Sequence, residues 1–236
     1  MSTFVIVPGA WDTPATMEPL LEPLVSTGHA VTVVDLPCED AGATLEAYAD
    51  AMRAVLPDDL ADVVLVGYSF GGFTASRIAV EHPEVPLVYI AAWIPRDGAS
   101  VLDLFVGGDP FEAGEEAGIA VFDGLILSAG PGRCALNIDR YVAAADPVER
   151  GAVRAYLERT QRPQGIAALR QKWRGELPTS RRRTYVLTTA DTLVPPEAQR
   201  VMAASVGADV VEIDTDHGPF REQPARLAEL LVAGSR

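Results

Sequence analysis

Ser69 stands in Gly67-Tyr68-Ser69-Phe70-Gly71, between an apolar run (Val63-Val64-Leu65-Val66) and a helix-period segment that starts near Gly72. A sharp turn from strand to helix drives one side chain out of the sheet. Glycines on either side let neighbouring chain segments close around it. The hydroxyl then projects above the carboxyl edge of a sheet with a helix N-terminus behind it, which is where a nucleophile belongs. A serine hydroxyl attacks a carbonyl at neutral pH only if a base takes its proton and a third group orients the base.

The chain offers three histidines as that base. His29 follows Gly28 at the start of a predicted strand, on the amino side of the sheet. His82 ends the helix that Ser69 begins, some 15 Å away at about 1.5 Å per residue, and suits a C-terminal cap. His217 lies in Asp214-Thr215-Asp216-His217-Gly218-Pro219, after the last predicted strand and at the carboxyl edge. It is the base by elimination and by placement. The orienting carboxylate must follow another strand at that edge, and Asp191 does so after the run 185–190. Asp214 stays open as the alternative, although a neighbour in the same tight loop seldom reaches the distal ring nitrogen.

The developing oxyanion needs two backbone N–H donors, each contributing about 10²–10³ in rate. Phe70, directly after the nucleophile, supplies one. The loop after the first strand, Val7-Pro8-Gly9-Ala10-Trp11-Asp12, supplies the other, with Ala10 as donor and Gly9 allowing close approach.

Strands are predicted at 3–7, 30–34, 62–66, 86–91, 184–188 and 209–213, most as continuous Val/Ile/Leu runs covered on both faces. Helices are predicted at 15–27, 44–56, 72–82, 196–206 and 221–233. Thr44 is placed as an N-cap, Gly28 to end the first helix and Pro83 to stop the third. Such alternation implies an α/β fold, a mostly parallel sheet of about six strands with helices on both faces. After the fourth strand the rhythm breaks for about 90 residues without a convincing strand, where a crossover needs about a dozen. Helices at 138–145 and 147–160 and an apolar stretch at 119–127 make this a helical lid. Residues 1–96 and 177–236 then form the core, and 97–176 the lid. Trp11 and Trp93, both after strands, and Phe122 and Leu125 in the lid are placed to line an apolar pocket.

Composition narrows the partners. The 236 residues carry a formal net charge of −14, against nucleic acid or an anionic membrane as a partner. Lys172 is the sole lysine, and Arg181-Arg182-Arg183 suits a solvated lead-in to a strand. Cys38 and Cys134 make no metal spacing or redox pair, and two cysteines point to a reducing compartment without excluding one disulfide. No basic segment followed by a signal-type apolar run opens the chain, and no 18-residue apolar stretch occurs, so a cytoplasmic location is expected. No metal or other cofactor is expected, and the chain is expected as a monomer or homodimer.

Taken together, Phe4-Val5-Ile6-Val7-Pro8-Gly9-Ala10-Trp11, Asp35-Leu36-Pro37, Gly67-Tyr68-Ser69-Phe70-Gly71-Gly72, the segment 185–199 and Asp216-His217-Gly218-Pro219-Phe220 resemble the α/β-hydrolase superfamily. More narrowly they are similar to the compact branch holding small bacterial and plant esterases together with plant hydroxynitrile lyases. The resemblance covers the core end to end; the lid matches only in length and helical character. It implies a Ser69–Asp191–His217 triad and an oxyanion hole of Ala10 and Phe70. Departures stand at Pro8, where the family commonly has histidine, at Asp12, where relatives often have histidine, and at Cys38, often glycine. Asp12 adds a carboxylate near the mouth that disfavours anionic substrates. The lyase branch relies on a hydroxyl side chain in the first loop and a lysine after the histidine; here those positions are Gly9 and Gly218. The expected activity is therefore hydrolysis of a small, uncharged, apolar carboxylic ester through an acyl-enzyme, lost below about pH 6 where His217 protonates. The alternatives are a small-molecule sensor of the same fold, and an acyltransferase or cyclase of secondary metabolism.

Overall fold

The computed structural model describes residues 1–104, 126–130, 132–139, 142, 145, 147–180 and 182–235. In chain order its strands are β1 (Thr3–Val7), β2 (Ala30–Val33), β3 (Val63–Tyr68), β4 (Leu87–Ile90), β5 (Ile126–Gly130), β6 (Arg133–Leu136), β7 (Gln164–Gly165), β8 (Arg183–Thr188) and β9 (Asp209–Ile213). The helices are α1 (Glu18–Ser26), α2 (Leu45–Arg53), α3 (Gly71–Glu81), α4 (Val101–Leu104), α5 (Arg150–Thr160), α6 (Ile166–Arg170), α7 (Pro196–Ser205), α8 (Pro219–Glu222) and α9 (Pro224–Gly234).

The apolar runs form a six-stranded sheet in the order β2-β1-β3-β4-β8-β9, and every neighbouring pair is parallel. Alternate residues feed opposite faces, as the two-residue period of a strand demands. Val5, Val7, Leu65, Leu87, Tyr89, Tyr185 and Leu187 pack with α2, α3 and α7 on one side. Phe4, Ile6, Val64, Val66, Val88, Ile90 and Val186 pack with α1 and α9 on the other. In β1, β3, β4 and β8 both faces are buried, which is why these strands are continuously apolar, whereas the edge strands β2 and β9 are partly exposed.

The strand order also fixes where a site can form. From β1 the chain steps outward to β2, then returns to the other side of β1 to lay down β3. The crevice at the carboxyl ends of β1 and β3 is thus the topological switch point. The loop 8–13 and Ser69 both leave the sheet there.

Two details differ from the sequence expectation. The first predicted helix is divided into a 3-10 turn (Pro14–Met17) and α1, and the last into α8 and α9. Proline explains both, because it stands in the first turn of each of these helices, where its missing N–H is no loss. The segment between β4 and β8 is also not purely helical. β5 and β6 form an antiparallel hairpin with a register shift between Ser128 and Gly130, and β7 adds to β6 through Cys134 and Gln164. Arg133–Leu136 lacks the alternation that marks a half-buried strand, so pattern alone does not find it. The expected helix at 147–160 is present as α5. Of the stretch 138–145, residues 138–139 and 142 are helical. Phe122, Leu125 and most of the apolar stretch 119–127 lie outside the described residues.

Among the described residues no helix is long and apolar enough to cross a membrane, and no group of three or more His, Cys, Asp or Glu could hold a metal ion. Cys38 and Cys134 are buried free thiols.

Candidate active site

Ser69 ends the turn between β3 and α3 with φ of 50°, in the left-handed region that non-glycine residues rarely enter. Such a conformation costs roughly 1–3 kcal/mol and persists only where its surroundings over-determine it. Here they do. The Ser69 N–H donates to the Ile90 carbonyl at 3.1 Å, and the Ser69 carbonyl accepts from Gly72 and Trp93 at 3.1 and 3.0 Å. Close approach then requires glycine on both sides. A Cβ at Gly67 would lie 2.9 Å from Ala75 Cβ, and one at Gly71 would lie 2.5 Å from the carbonyl oxygens of both Val7 and Pro8.

The side chain exposed by this turn meets a histidine. His217 lies between β9 and α8, with Nε2 2.9 Å from Ser69 Oγ, and its Nδ1 is 2.7 Å from Asp191 Oδ2. Tyr68 supports the imidazole at 5.1 Å between ring centroids, and Phe220 packs edge-on against Tyr68 at 5.0 Å. Asp214, the alternative carboxylate, instead accepts from Thr189 Oγ1 at 2.8 Å. Asp216 accepts from the Gly218 N–H and from Arg221. The structure thus brings together Ser69, His217 and Asp191 from the ends of three different strands. His29 accepts from the Ser2 N–H at the amino end of the sheet, and the His82 N–H closes α3 onto Ile78. Neither approaches Ser69.

Asp191 is held from every side. Its Oδ1 accepts the N–H groups of Leu193 and Val194 at 2.9 and 2.8 Å, and its Oδ2 accepts Thr188 Oγ1 at 2.8 Å and Gln199 Nε2 at 3.2 Å. Burial opposes its charge, but His217, the Val194 N–H and the Thr188 hydroxyl keep its pKa below the ordinary carboxylate value. For His217, burial likewise works against the charged form. Asp191 above all, then Asp12 and Asp216, outweigh it and raise the pKa above the usual histidine value.

Gln199 and Thr188 are the residues that sequence reasoning missed. Gln199 is fully buried on α7; its amide bonds Thr188 at both backbone groups and at the hydroxyl, and also reaches the Val194 carbonyl. The available signal was spacing: Gln199 is four residues from Ala203, which places it on the helix face that packs on the core.

The expected oxyanion donors line the same pocket as Ser69. Phe70 is the residue before α3, and Ala10 stands in the loop after β1. Among the described residues neither N–H has a protein acceptor. Gly9 packs against Ser69: a Cβ there would lie 2.9 Å from Ser69 Cβ. A side chain at that position would have to displace Asp12 or Ser69. Over the site opens a pocket walled by Trp11, Trp93, Val101, Leu102, Leu157, Leu169, Leu193 and Phe220, with Asp12, Thr16, Tyr156, Gln161 and Arg221 as its polar groups. Both tryptophans expected there line it. The arrangement can deprotonate a serine, hold the resulting imidazolium, and leave two amides free for an oxygen that gains charge.

Known proteins share this architecture. Residues 4–230 match the description "Alpha/beta hydrolase family". The chain is similar to a carbendazim hydrolyzing esterase of Nocardioides sp. (strain SG-4G), at 26% identity over 254 residues covering 99% of each chain. It is 28% identical over 249 residues to polyneuridine aldehyde esterase of Rauvolfia serpentina, covering 92% of this chain and 88% of that one. The crystal structure of a mutant of polyneuridine aldehyde esterase superposes with a TM-score of 0.77 at 25% identity, over 100% of this chain and 99% of that one.

Proposed function

The chain belongs to the alpha/beta hydrolase family, and from that premise we propose that it is a serine esterase acting on small, uncharged, apolar carboxylic esters. The observation that carries this reading is the continuous chain from Ser69 Oγ through His217 to Asp191, set beneath an apolar pocket. End-to-end similarity to two esterases supports the reaction class.

Ser69 Oγ attacks the ester carbonyl while its proton passes to His217 Nε2. Asp191 keeps its negative charge, fixes the tautomer through Nδ1–H and stabilises the imidazolium. The carbonyl oxygen becomes an alkoxide and settles on the N–H groups of Ala10 and Phe70. As the tetrahedral adduct collapses, His217 returns the proton to the departing alkoxide, leaving an ester on Ser69. Water then attacks the acyl-enzyme, again giving its proton to His217, and the acid leaves as the Ser69 hydroxyl is restored. The segment between β4 and β8 acts as a lid: Val101, Leu102, Leu157 and Leu169 contribute its apolar lining. That lining favours apolar acyl and alcohol groups, because a charge set against these lid side chains would find no partner among them.

The test is hydrolysis of p-nitrophenyl acetate and butyrate by the wild type and by a folded Ser69→Ala variant. Turnover confined to the wild type is the expected result; equal turnover by both would sink the reading. The pH dependence has a definite sign. His217 must be neutral to accept the proton, and its pKa is raised, so kcat/KM is expected to fall as pH drops through a value above about 6.5. A profile flat down to pH 5 would remove His217 as the base.

A further inference from the structure

The pocket holds a buried carboxylate that the reaction above does not use. Asp12 is only 5% exposed, in the loop that carries Ala10. Its Oδ2 accepts the Gly9 N–H at 3.0 Å, and its Oδ1 accepts Gln161 Nε2 at 2.6 Å. Gly9 is wedged between this carboxylate and the nucleophile, since a Cβ there would lie 2.8 Å from Asp12 Oδ2 as well as close to Ser69. The tether therefore acts one residue before the Ala10 amide.

Asp12 also joins that loop to the end of α5. It forms an antiparallel bridge with Gln161, flanked by bonds from the Thr13 N–H to the Thr160 carbonyl at 3.1 Å and from the Arg162 N–H to the Trp11 carbonyl at 2.8 Å. The charge has a destination too. Burial pushes the Asp12 carboxyl up to about 6, against the lowering influence of Gln161, His217 and the Gly9 N–H. Asp12, from the loop after β1, and His217 line the same pocket; Asp191 bonds the imidazole from the loop after β8 and Tyr68 packs on it from β3, while the charges of Asp191, Asp12 and Asp216 all favour its protonated form. Thr16, Gln161, Tyr156 and Arg221 complete the polar groups of the pocket around Asp12.

We propose that Asp12 is a positioning residue of this site: its carboxylate sets the Gly9–Ala10 backbone that receives the oxyanion, and its charge stabilises the imidazolium form of His217. The proposal rests on the esterase reading of the site. Its two parts separate experimentally. The charge favours the imidazolium and opposes the oxyanion, so at high pH these effects offset and the charge shows in the pH profile. The tether shows in kcat.

Asp12→Asn keeps an oxygen acceptor for the Gly9 N–H and removes the charge, and Gln161 can flip to meet the new amide. Asp12→Ala removes both. With p-nitrophenyl butyrate, Asp12→Asn is expected to keep kcat above pH 8 within about threefold of wild type. Its His217 pKa, read by NMR titration of the imidazole and by the acid limb of the rate profile, should fall by about half a unit or more. Asp12→Ala is expected to lower kcat by about 10–100-fold with KM changed by less than about threefold. Loss of thermal stability with unchanged kcat and unchanged His217 titration would mean a purely structural role and overturn the proposal. So would wild-type behaviour in both variants. If the wild type hydrolyses neither ester, the esterase reading fails by itself. The NMR titration of His217 and the Gly9 amide resonance in the two variants then still decide the role of Asp12.

Discussion

Replacing His217 with alanine is expected to lower kcat on p-nitrophenyl butyrate by about 10⁴–10⁶-fold, and adding Ser69→Ala to that variant is expected to cost almost nothing more. In the proposed mechanism the two groups work as one unit. Without the imidazole 2.9 Å from Oγ, the serine has no acceptor for its proton, and without the hydroxyl the imidazole has nothing to activate. Asp191→Asn should cost about 10⁴-fold, because an amide facing Nδ1 disfavours the tautomer that leaves Nε2 free. Residual activity over water in the double variant would come from the free amides of Ala10 and Phe70 and from binding in the pocket. Losses that multiply in the double variant would mean that Ser69 and His217 act independently, against the mechanism. Each variant needs an unfolding curve beside the kinetics, since His217 is also packed against Tyr68.

Most of this site was legible in the sequence, for a reason that lies in the sheet. Strands buried on both faces read as unbroken runs such as Val63-Val64-Leu65-Val66, so their ends can be placed within about two residues. In a parallel sheet every strand end of one kind lies on one edge. Ser69, Asp191 and His217 could therefore be collected from three distant stretches without any contact being visible. What stayed hidden depends on contacts that periodicity does not specify. Gln199 contacts Asp191, Thr188 and Val194 only after α7 is docked; its spacing from Ala203 marks the core-facing side of the helix but not those partners. The β5–β6 hairpin surrounds Gly130-Pro131-Gly132, a turn signal, but its strands are too short and mixed to outvote the helical segments beside them. Asp12 was recognisable as a carboxylate near the mouth; its tether to Gly9 depends on the loop geometry that only the fold supplies.

The same geometry makes Gly71→Ala one of the most damaging small substitutions expected away from the reacting atoms. An alanine methyl there would sit 2.5 Å from the carbonyl oxygens of Val7 and Pro8 and 3.0 Å from the Val7 carbonyl carbon. All three are backbone atoms of β1 and the loop that carries Ala10, so no side chain can swing aside. Either α3 lifts off the sheet or β1 shifts against β3, and both moves break the packing that holds Ser69 at φ of 50°. Overpacking in a tight core costs about 1–3 kcal/mol when side chains can adjust and more when they cannot. We expect a loss of about 3–5 kcal/mol, a large part of the 5–15 kcal/mol that keeps a typical domain folded. Gly151→Ala supplies the contrast, because that glycine lies on the exposed face of α5 with nothing within 4 Å of a new Cβ. It should gain about 0.5–1 kcal/mol from helix propensity alone. Urea unfolding of both variants measures the difference directly. Equal midpoints would mean that the β3–α3 turn is slack, and a slack turn could not hold Ser69 in its left-handed conformation.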